Sequence, residues 1–412
     1  MRFIADLHIH SKYSRATSKD MDIEHIAQWA KLKGINLVGT GDFTHPRWFE
    51  ELKSKLTPTS GGLYQYNGIN FILTAEVSNM YSKNGRGRRV HTLIFAPDFE
   101  TVEKINKKLA DRGNIVSDGR PIFGFDVKDI VKMCLDINEN CLIVPAHAWT
   151  PWFSVFGSNS GFDSIRECFE EEAKNIYVLE TGLSSDPGMN WRLSALDKYT
   201  LISNSDAHSP AKLGREVNVF DCELGYKAII DTLKRKDKAR LLFTVEFYPQ
   251  EGKYHFDGHR SCEIRFSPSE TKQHNRRCPK CGRPLTVGVM SRVDELADRE
   301  EGFIPKDSIP YKSLVPLMEI IAEARQKGVA TKTVEDEYKA AVSHFGNEFA
   351  ILLDAGEKDI SEKLSENTAK GVMKARKGEL NIEPGYDGIY GTVKIFKEEE
   401  LTQARDKQLE LF

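Results

Sequence analysis

Over residues 1 to about 245, short apolar, β-branched runs alternate with amphipathic stretches, and nearly every apolar run ends on a metal-ligand type of residue. This alternation is the βα signature of a parallel sheet or barrel. The strand candidates are "RFIADLHI", "INLVGTGD", "NFILTAEV", "VHTLIFA", "CLIVPAHA", "IYVLETG" and "TLISNSDA". Between several of them lie helical patterns such as "DIEHIAQWAKLKG", where Ile23, Ile26, Ala27 and Ala30 share a face and Gly34 supplies the stop. At or just beyond the strand ends stand His8 and His10, Asp42 and His45, Glu76, His147, Glu180, and finally Asp206 and His208. His91 begins its strand instead of ending it. Strand ends of a (β/α) barrel gather on one face, so these residues are expected to converge. His8 and His10, two apart in the first strand, point the same way. Two parallel imidazoles make half of a metal site. Alone they would equally pass for polar residues on an edge strand, but half a dozen strands with such ends favour the metal.

At 412 residues the chain is long enough for two or three domains. The expected division is 1–245 for the metal-dependent unit, 246–295 for a small zinc-binding module, 296–400 for a helical region and 401–412 for a charged tail. A formal net charge of −3 excludes a whole-protein polycation, so any nucleic-acid contact must come from local basic patches. No apolar run approaches a membrane span, and seven cysteines, an odd number, suit a reducing compartment. A cytoplasmic, probably-monomer type of chain with no membrane partner is the expectation. Cys134, Cys141, Cys168 and Cys222 lie among apolar residues and read as inert core thiols.

After about residue 250 the texture turns rich in Gly, Pro and basic residues. "CPKCG" places Cys278 and Cys281 three apart with Gly282 after the second, a zinc-knuckle turn in which backbone N–H groups reach sulfur. Upstream, Cys262 is the available cysteine and His259 stands three residues before it, which completes a four-ligand structural zinc site. His255 and His274 are weaker candidates. From 251 to 290 there are eight Lys/Arg against four Asp/Glu, an excess suited to a phosphate backbone. Residues 312–376 read as helical, and "IEPGYDGIYGTVKIF" as strand-like.

"DLHIHS" near the start and "SNSDAHS" near residue 206, with an acid and more histidines between, resemble the PHP (polymerase and histidinol phosphatase) family over roughly residues 1–245. The resemblance implies an α/β fold: a PHP-type distorted (β/α)7 barrel followed by a small zinc-binding module and a mainly helical C-terminal region. It also implies two or three divalent metals, Zn, Mn or Mg, used for phosphoester hydrolysis. By residue match, His8, His10, Glu76 and Asp206 would hold the first metal, and Glu76 would bridge to a second shared with His91 and His147. The third site departs from the family pattern: Asp42 is followed by Phe43, with a histidine only at His45. His208 is still expected as a ligand, with Asp42 as its companion. His45 could be a ligand, a substrate contact or a loop histidine, and Glu180 an orienting, substrate-binding or structural residue.

A PHP metal centre joined to this zinc module, and followed by "EIIAEARQKG" and "IEPGYDGIYG", resembles the endonuclease Q family. That resemblance implies DNA repair: nicking on the 5′ side of deaminated bases (uracil, hypoxanthine, xanthine) and of abasic sites. For DNA contact, "SKNGRGRRVH" offers Arg86, Arg88 and Arg89 on a Gly-rich loop leading into His91, a clamp for a phosphate backbone or a solvated hairpin tip. "AHAWTPWFSVF" offers Trp149, Trp152, Phe153 and Phe156, which would stack on an extruded base or cap the barrel. Lys370, Lys374, Arg376 and Lys377 give a basic end to one C-terminal helix, and the tail "QLELF", with Gln408, Leu411 and Phe412, resembles the start of a sliding-clamp hook. A PHP-family small-molecule phosphatase would leave the zinc module and the last hundred residues idle. A non-catalytic DNA-binding scaffold would not need so complete a ligand set.

Overall fold

A computed structural model describes residues 1–397, 399 and 400. The tail 401–412, with the clamp-like Gln408, Leu411 and Phe412, lies outside the described residues. The first strand, Arg2–Asp6, occupies the middle of an eleven-stranded sheet. It runs parallel to Leu37–Gly39 in the register Ala5↔Leu37, and Leu37–Gly39 runs parallel to Ile69–Lys83. The helix Ile23–Lys33 makes the first crossover. Asp22 caps it by accepting from the His25 N–H at 3.0 Å, Gly34 ends it at φ 89°, and Ile23, Ile26, Ala27 and Ala30 are buried as the periodicity predicts.

The sheet is not purely parallel, which departs from the simple βα reading. Ile69–Lys83 returns antiparallel as Arg86–Ala96 through an Asn84-Gly85 turn, both residues at positive φ (53° and 73°). This is the turn whose twist matches two antiparallel strands. Arg86–Ala96 pairs antiparallel with Leu142–Pro145. On the far side Val217–Asp221 runs antiparallel to the first strand and to Leu241–Glu246. Two further strands, Val178–Glu180 and Thr200–Ile202, pair parallel with each other. The Ala148 N–H donates to the Glu180 carbonyl (2.9 Å), and an isolated parallel bridge joins Ile9 to Ala207, so these strands fill the gap between Leu142–Pro145 and the start of the chain. The ring is thus a distorted, mixed barrel closed by loop-level bonds.

Tyr311–Ser313 adds to the barrel sheet beside Leu241–Glu246, so the chain comes back to the barrel after the cysteine-bearing segment. The helices that follow, Leu317–Ala324, Lys332–Phe345, Glu357–Lys363 and Glu366–Lys377, bear out the helical reading. They lock onto the barrel through a buried ion pair, Lys33 Nζ to Glu348 at 2.7 Å. Glu348 also accepts from the Leu317 N–H (3.0 Å) and the Tyr338 hydroxyl (2.8 Å), which satisfies a charge that burial would otherwise penalise. Asn381–Glu383 and Thr392–Lys394 form the strand-like segment as a two-stranded hairpin. None of the described helices is long and apolar enough to cross a membrane.

Candidate active site

Residues that follow four strands, with Glu76 and His91 from within the Ile69–Lys83/Arg86–Ala96 ladder, meet in or directly behind one cluster. Three of them, Asp42 (φ 49°), His147 (φ 30°) and Asp206 (φ 47°), sit in left-handed backbone that non-glycine residues rarely adopt. Such strain persists where the surrounding fold holds it: it turns His147 and Asp206 into the cluster and Asp42 onto His10 behind it. Gly182 shows how tight the fit is: at φ 64°, an added Cβ would stand 2.4 Å from the His147 Cβ.

Glu76 lies at the centre, fully buried. Its Oε1 faces His91 Nδ1 at 2.8 Å and His147 Nε2 at 3.0 Å, and its Oε2 faces His10 Nε2 at 3.3 Å and His8 Nε2 at 3.8 Å. Asp206 Oδ1 closes the second side, 3.0 Å from His10 Nε2 and 3.7 Å from His8 Nε2. Burial opposes the Glu76 charge, but His91 and Arg120 beside it hold its carboxyl well below the usual range. Burial pushes the His91 imidazole down to about 4, whereas for His8, His10 and His147 the surrounding carboxylates overcome burial and raise it.

Behind the inward atoms stands an outer ring of carboxylates and hydroxyls. His8 Nδ1 faces both oxygens of Glu180 (3.0 and 3.1 Å), which also accepts from the His147 N–H (2.8 Å) and Asn204 Nδ2 (2.8 Å). His10 Nδ1 faces Asp42 Oδ1 at 3.0 Å, and Thr150 Oγ1 lies 3.1 Å from His147 Nδ1. A carboxylate on Nδ1 fixes the proton there and leaves the Nε2 lone pair free to bind a metal.

These contacts place Asp42 differently from its expected role beside His208. Both its oxygens are engaged, by His10, by the Ser11 N–H and hydroxyl (2.6 Å each) and by Ser14 Oγ (2.9 Å), so Asp42 orients a ligand and does not reach the cluster itself. His208 does reach it, grouped with His10 and Asp206. His45 does not: its ring stacks on Tyr13 (4.4 Å between centroids), and its Nε2 meets the Val116 carbonyl at 3.0 Å. Sequence reasoning missed Arg120, whose guanidinium donates to Glu76 Oε2 at 3.1 Å. It comes from a loop without periodicity, so only the fold brings it to the centre.

The donor set fits metal ions. His8 Nε2, His10 Nε2 and Asp206 Oδ1 are buried and have no hydrogen-bond partner, an expensive state for polar atoms unless something else engages them. The ligand atoms of His8, His10 and Glu76, and those of Glu76, His91 and His147, each lie within 4.8 Å of one another.

The second cluster is local. The hairpin Asp257–His259/Ile264–Phe266 carries His259 and Cys262, and the knuckle closed by the Arg277↔Pro284 bridge carries Cys278 and Cys281. The four ligand atoms gather within 4.8 Å, with Cys281 Sγ 3.8 Å from His259 Nδ1. His255 is buried elsewhere, and His274 stacks on Phe266 at 4.6 Å.

The residues expected to face DNA divide. Arg88 is buried: it donates to the Gly161 carbonyl, pairs with Glu167 at 3.1 Å and lies over the Phe162 ring at 4.0 Å, so it is a structural arginine and not a clamp. Arg86 and Arg89 are exposed on the same strand. Trp149 is buried too, its Nε1–H donating to Asn190 Oδ1 (2.8 Å) and its ring against Phe156, so it caps the barrel. Trp152 is exposed beside Tyr254. At the basic helix end Lys370 and Lys374 share Glu400, each at 2.8 Å, and Arg376 donates to the Ile351 and Ala355 carbonyls. A cavity of about 630 Å³ opens among Trp152, Phe247, Tyr254 and Tyr390, with Lys212 and Arg215 on its wall. Arg215, on the wall of this cavity, donates to the Ser205 (2.8 Å) and Asp206 (3.4 Å) backbone carbonyls behind the metal cluster.

Residues 316–379 match the MJ0043 C-terminal domain family. An uncharacterized protein of Methanocaldococcus jannaschii, MJ0043, is 34% identical over 266 residues, which are 63% of this chain but 33% of that protein, so the chain spans about a third of that relative. The uncharacterized YqxK of Bacillus subtilis is 30% identical over 95% of this chain and 99% of its own length. The crystal structure of the lesion-specific endonuclease PfuEndoQ of Pyrococcus furiosus superposes with a TM-score of 0.86 at 36% identity, covering 98% of this chain and 99% of that one. Endonuclease Q in complex with a 27-mer duplex carrying an abasic lesion at the active site superposes at 0.85, with 36% identity over 97% and 98% of the two chains. A likeness this even, from the first strand to the last hairpin, shows that the chain belongs to the endonuclease Q family.

Proposed function

We propose that this protein is a lesion-specific DNA endonuclease that hydrolyses the phosphodiester on the 5′ side of abasic sites and of deaminated bases (uracil, hypoxanthine, xanthine). One observation carries the reading: four imidazoles and two carboxylates, His8, His10, His91, His147, Glu76 and Asp206, converge with unpartnered buried atoms in a chain of the endonuclease Q family. The enzyme is a metal-dependent hydrolase.

His8, His10, Glu76 and Asp206 would hold one divalent ion, and Glu76, His91 and His147 a second. A pair of such ions lowers the pKa of a bound water toward neutrality and stabilises both the attacking and the leaving oxygen. His10, Asp206 and His208 group as a further ligand set, so the donors would accommodate a third ion without Asp42, which is turned onto His10. Nitrogen-rich ligation suits Zn or Mn at this site, and the Cys3His set of the module suits structural Zn. Glu180 and Asp42 keep His8 and His10 in the tautomer that presents Nε2. Arg120 uses one of its donors on Glu76, and the rest are free to meet a phosphate oxygen.

The cavity beside Trp152 and Tyr254 would take an extruded nucleotide: it offers aromatic walls and Arg215 and Lys253, with Glu251 and Lys212-paired Glu319 also in its lining. Flipping costs least for a damaged or mispaired base. A site that reads the carbonyl replacing an amino group would leave its donor unpaired against cytosine or adenine. Exposed Arg86 and Arg89 and the Lys/Arg excess of residues 251–290 would carry the flanking backbone.

The test is one labelled duplex carrying a single deoxyuracil, deoxyinosine or abasic site, beside an undamaged control. Wild type should nick 5′ of the lesion with divalent metal, and His8→Ala and Asp206→Asn should not. Uncut damaged DNA under every metal tried would sink the proposal.

A further inference from the structure

The motif "IEPGYDGIYG" folds into the hairpin turn between Asn381–Glu383 and Thr392–Lys394 and presents two bare apolar side chains, Ile389 at 41% and Tyr390 at 71% exposure. No metal cluster uses them. An exposed tyrosine on a loose loop would carry no argument, but this turn is pinned from several sides. The Gly385, Gly388 and Gly391 N–H groups donate to the carbonyls of Gln250 (2.8 Å), Lys253 (2.8 Å) and Glu251 (3.0 Å). Asp387 accepts from the Arg260 N–H (2.7 Å) and from Thr286 Oγ1 (2.6 Å), tying the turn to the zinc module. Tyr386 and Ile389 exchange two backbone bonds of 3.0 and 2.8 Å. Gly391 lies so close to its support that an added Cβ would stand 2.1 Å from the Gln250 carbonyl oxygen.

The ridge so fixed separates two hollows. On one side is the 630 Å³ cavity of Trp152 and Tyr254, whose wall residue Arg215 donates to the Ser205 carbonyl beside Asp206. On the other is a hollow of about 480 Å³ lined by Glu263, Arg265, Glu383 and Thr392. Tyr390 borders both, and Lys253 Nζ stands 5.7 Å from both the Tyr390 and the Tyr254 rings, placing a cation at the foot of the ridge. A flat, exposed ring on a pinned turn, between an extrusion cavity and a polar hollow, has the shape and chemistry of a stacking surrogate. Aromatic rings replace a lost neighbour in a base stack at little conformational cost.

Resting on the proposed function, we infer that the Ile389–Tyr390 turn is the wedge of the enzyme: Tyr390 enters the gap left in the duplex when the lesion nucleotide moves into the Trp152–Tyr254 cavity. Tyr390 is a positioning residue, since it holds the opened duplex and touches no reacting atom. Its loss therefore affects distortion of the duplex before it affects the hydrolytic centre.

The experiment uses the nick-blocked Asp206→Asn protein and a deoxyuracil duplex with 2-aminopurine as the 3′ neighbour of the lesion. Binding is followed by anisotropy and local unstacking by 2-aminopurine fluorescence. Asp206→Asn should change the fluorescence several-fold on binding. Adding Tyr390→Ala should abolish that change while affinity falls no more than about tenfold, and adding Tyr390→Trp should keep it. In the otherwise wild-type enzyme, Tyr390→Ala should slow nicking of the duplex at least about 30-fold with the metal content unchanged. A full fluorescence change with Tyr390→Ala, or nicking within threefold of wild type, overturns the wedge and leaves the endonuclease reading intact. A wild-type enzyme that nicks no lesion overturns the function itself, and the wedge with it.

Discussion

The two metal-type clusters of this protein are built in opposite ways. The barrel cluster draws His8, His10, Glu76, His91, His147 and Asp206 from five strands across nearly 200 residues, buries most of them, and backs them with Glu180, Asp42 and Thr150. The module cluster draws its donors from within one short segment, His259 to Cys281, on a hairpin and a knuckle, and leaves Cys281 exposed. A distributed site is held in shape by the fold around it, whereas a local one has too little core to hold itself. Metal in the first should therefore serve chemistry and in the second stability.

The sharpest way to break that contrast is Glu76→Gln. Both ligand sets share Glu76, so the substitution should lower nicking by at least about a thousandfold and reduce bound metal at the barrel. The melting temperature should stay within a few degrees, because the fold and not the ion organises the site. An active Glu76→Gln enzyme, or one that unfolds, would show the contrast to be wrong. Cys278→Ser is the mirror experiment. It should remove one zinc equivalent by elemental analysis and unfold the module, with loss of DNA affinity, while the barrel keeps its own metals. Equal loss from both clusters would mean that they are not independent.

The same contrast explains what was legible in the sequence. The module's ligands follow from spacing alone, and the structure gathers the four that the knuckle and its upstream half suggest. The barrel ligands were visible because strands alternate and end in His, Asp or Glu. Their supports were not, since a carboxylate behind an imidazole has the same sequence signature as one beside a metal. Asp42 is the instance: at φ 49° it turns toward His10 and Ser11, which no spacing rule foretells. Arg120 is invisible for the opposite reason, arriving from a loop with no pattern. Arg88 was readable and misread. Asn84-Gly85 marks a tight hairpin, so Arg88 continues the strand face of Val90 and Thr92, both buried, instead of belonging to a loop. The antiparallel strands Val217–Asp221 and Leu241–Glu246 lay outside the βα pattern and changed the barrel from parallel to mixed.

A finer probe of the barrel targets its supports. Glu180→Gln keeps the shape but removes the charge facing His8 Nδ1, and Asp42→Asn does the same for His10. Each should weaken metal binding about 10–100-fold, measured by chelator competition, with nicking recovered at high metal. Recovery would separate a supporting carboxylate from a ligand such as Glu76. No change in metal affinity would show that the tautomers are held by other contacts.

The smallest expected effect concerns a buried acid that no metal touches. Glu246, at the end of the Leu241–Glu246 strand, accepts from the Thr244 (2.5 Å) and Thr181 (2.9 Å) hydroxyls. Burial pushes its carboxyl up to about 8, although those hydroxyls pull the other way, and nearby Glu216 is raised as well, by burial and by Glu246. An unfolded glutamate titrates near 4.5, so between about 4.5 and 8 the folded chain holds a proton that the unfolded chain has released. The stability tied to that proton is complete below 4.5 and is lost as pH rises through 8, on the order of a few kcal/mol. Thermal melts of the wild type should therefore fall from pH 6 to pH 9. Glu246→Gln, which cannot ionise, should flatten that slope while leaving the metal content alone. An unchanged slope would mean that Glu246 is already ionised at neutral pH, its charge held by the Thr181 and Thr244 hydroxyls.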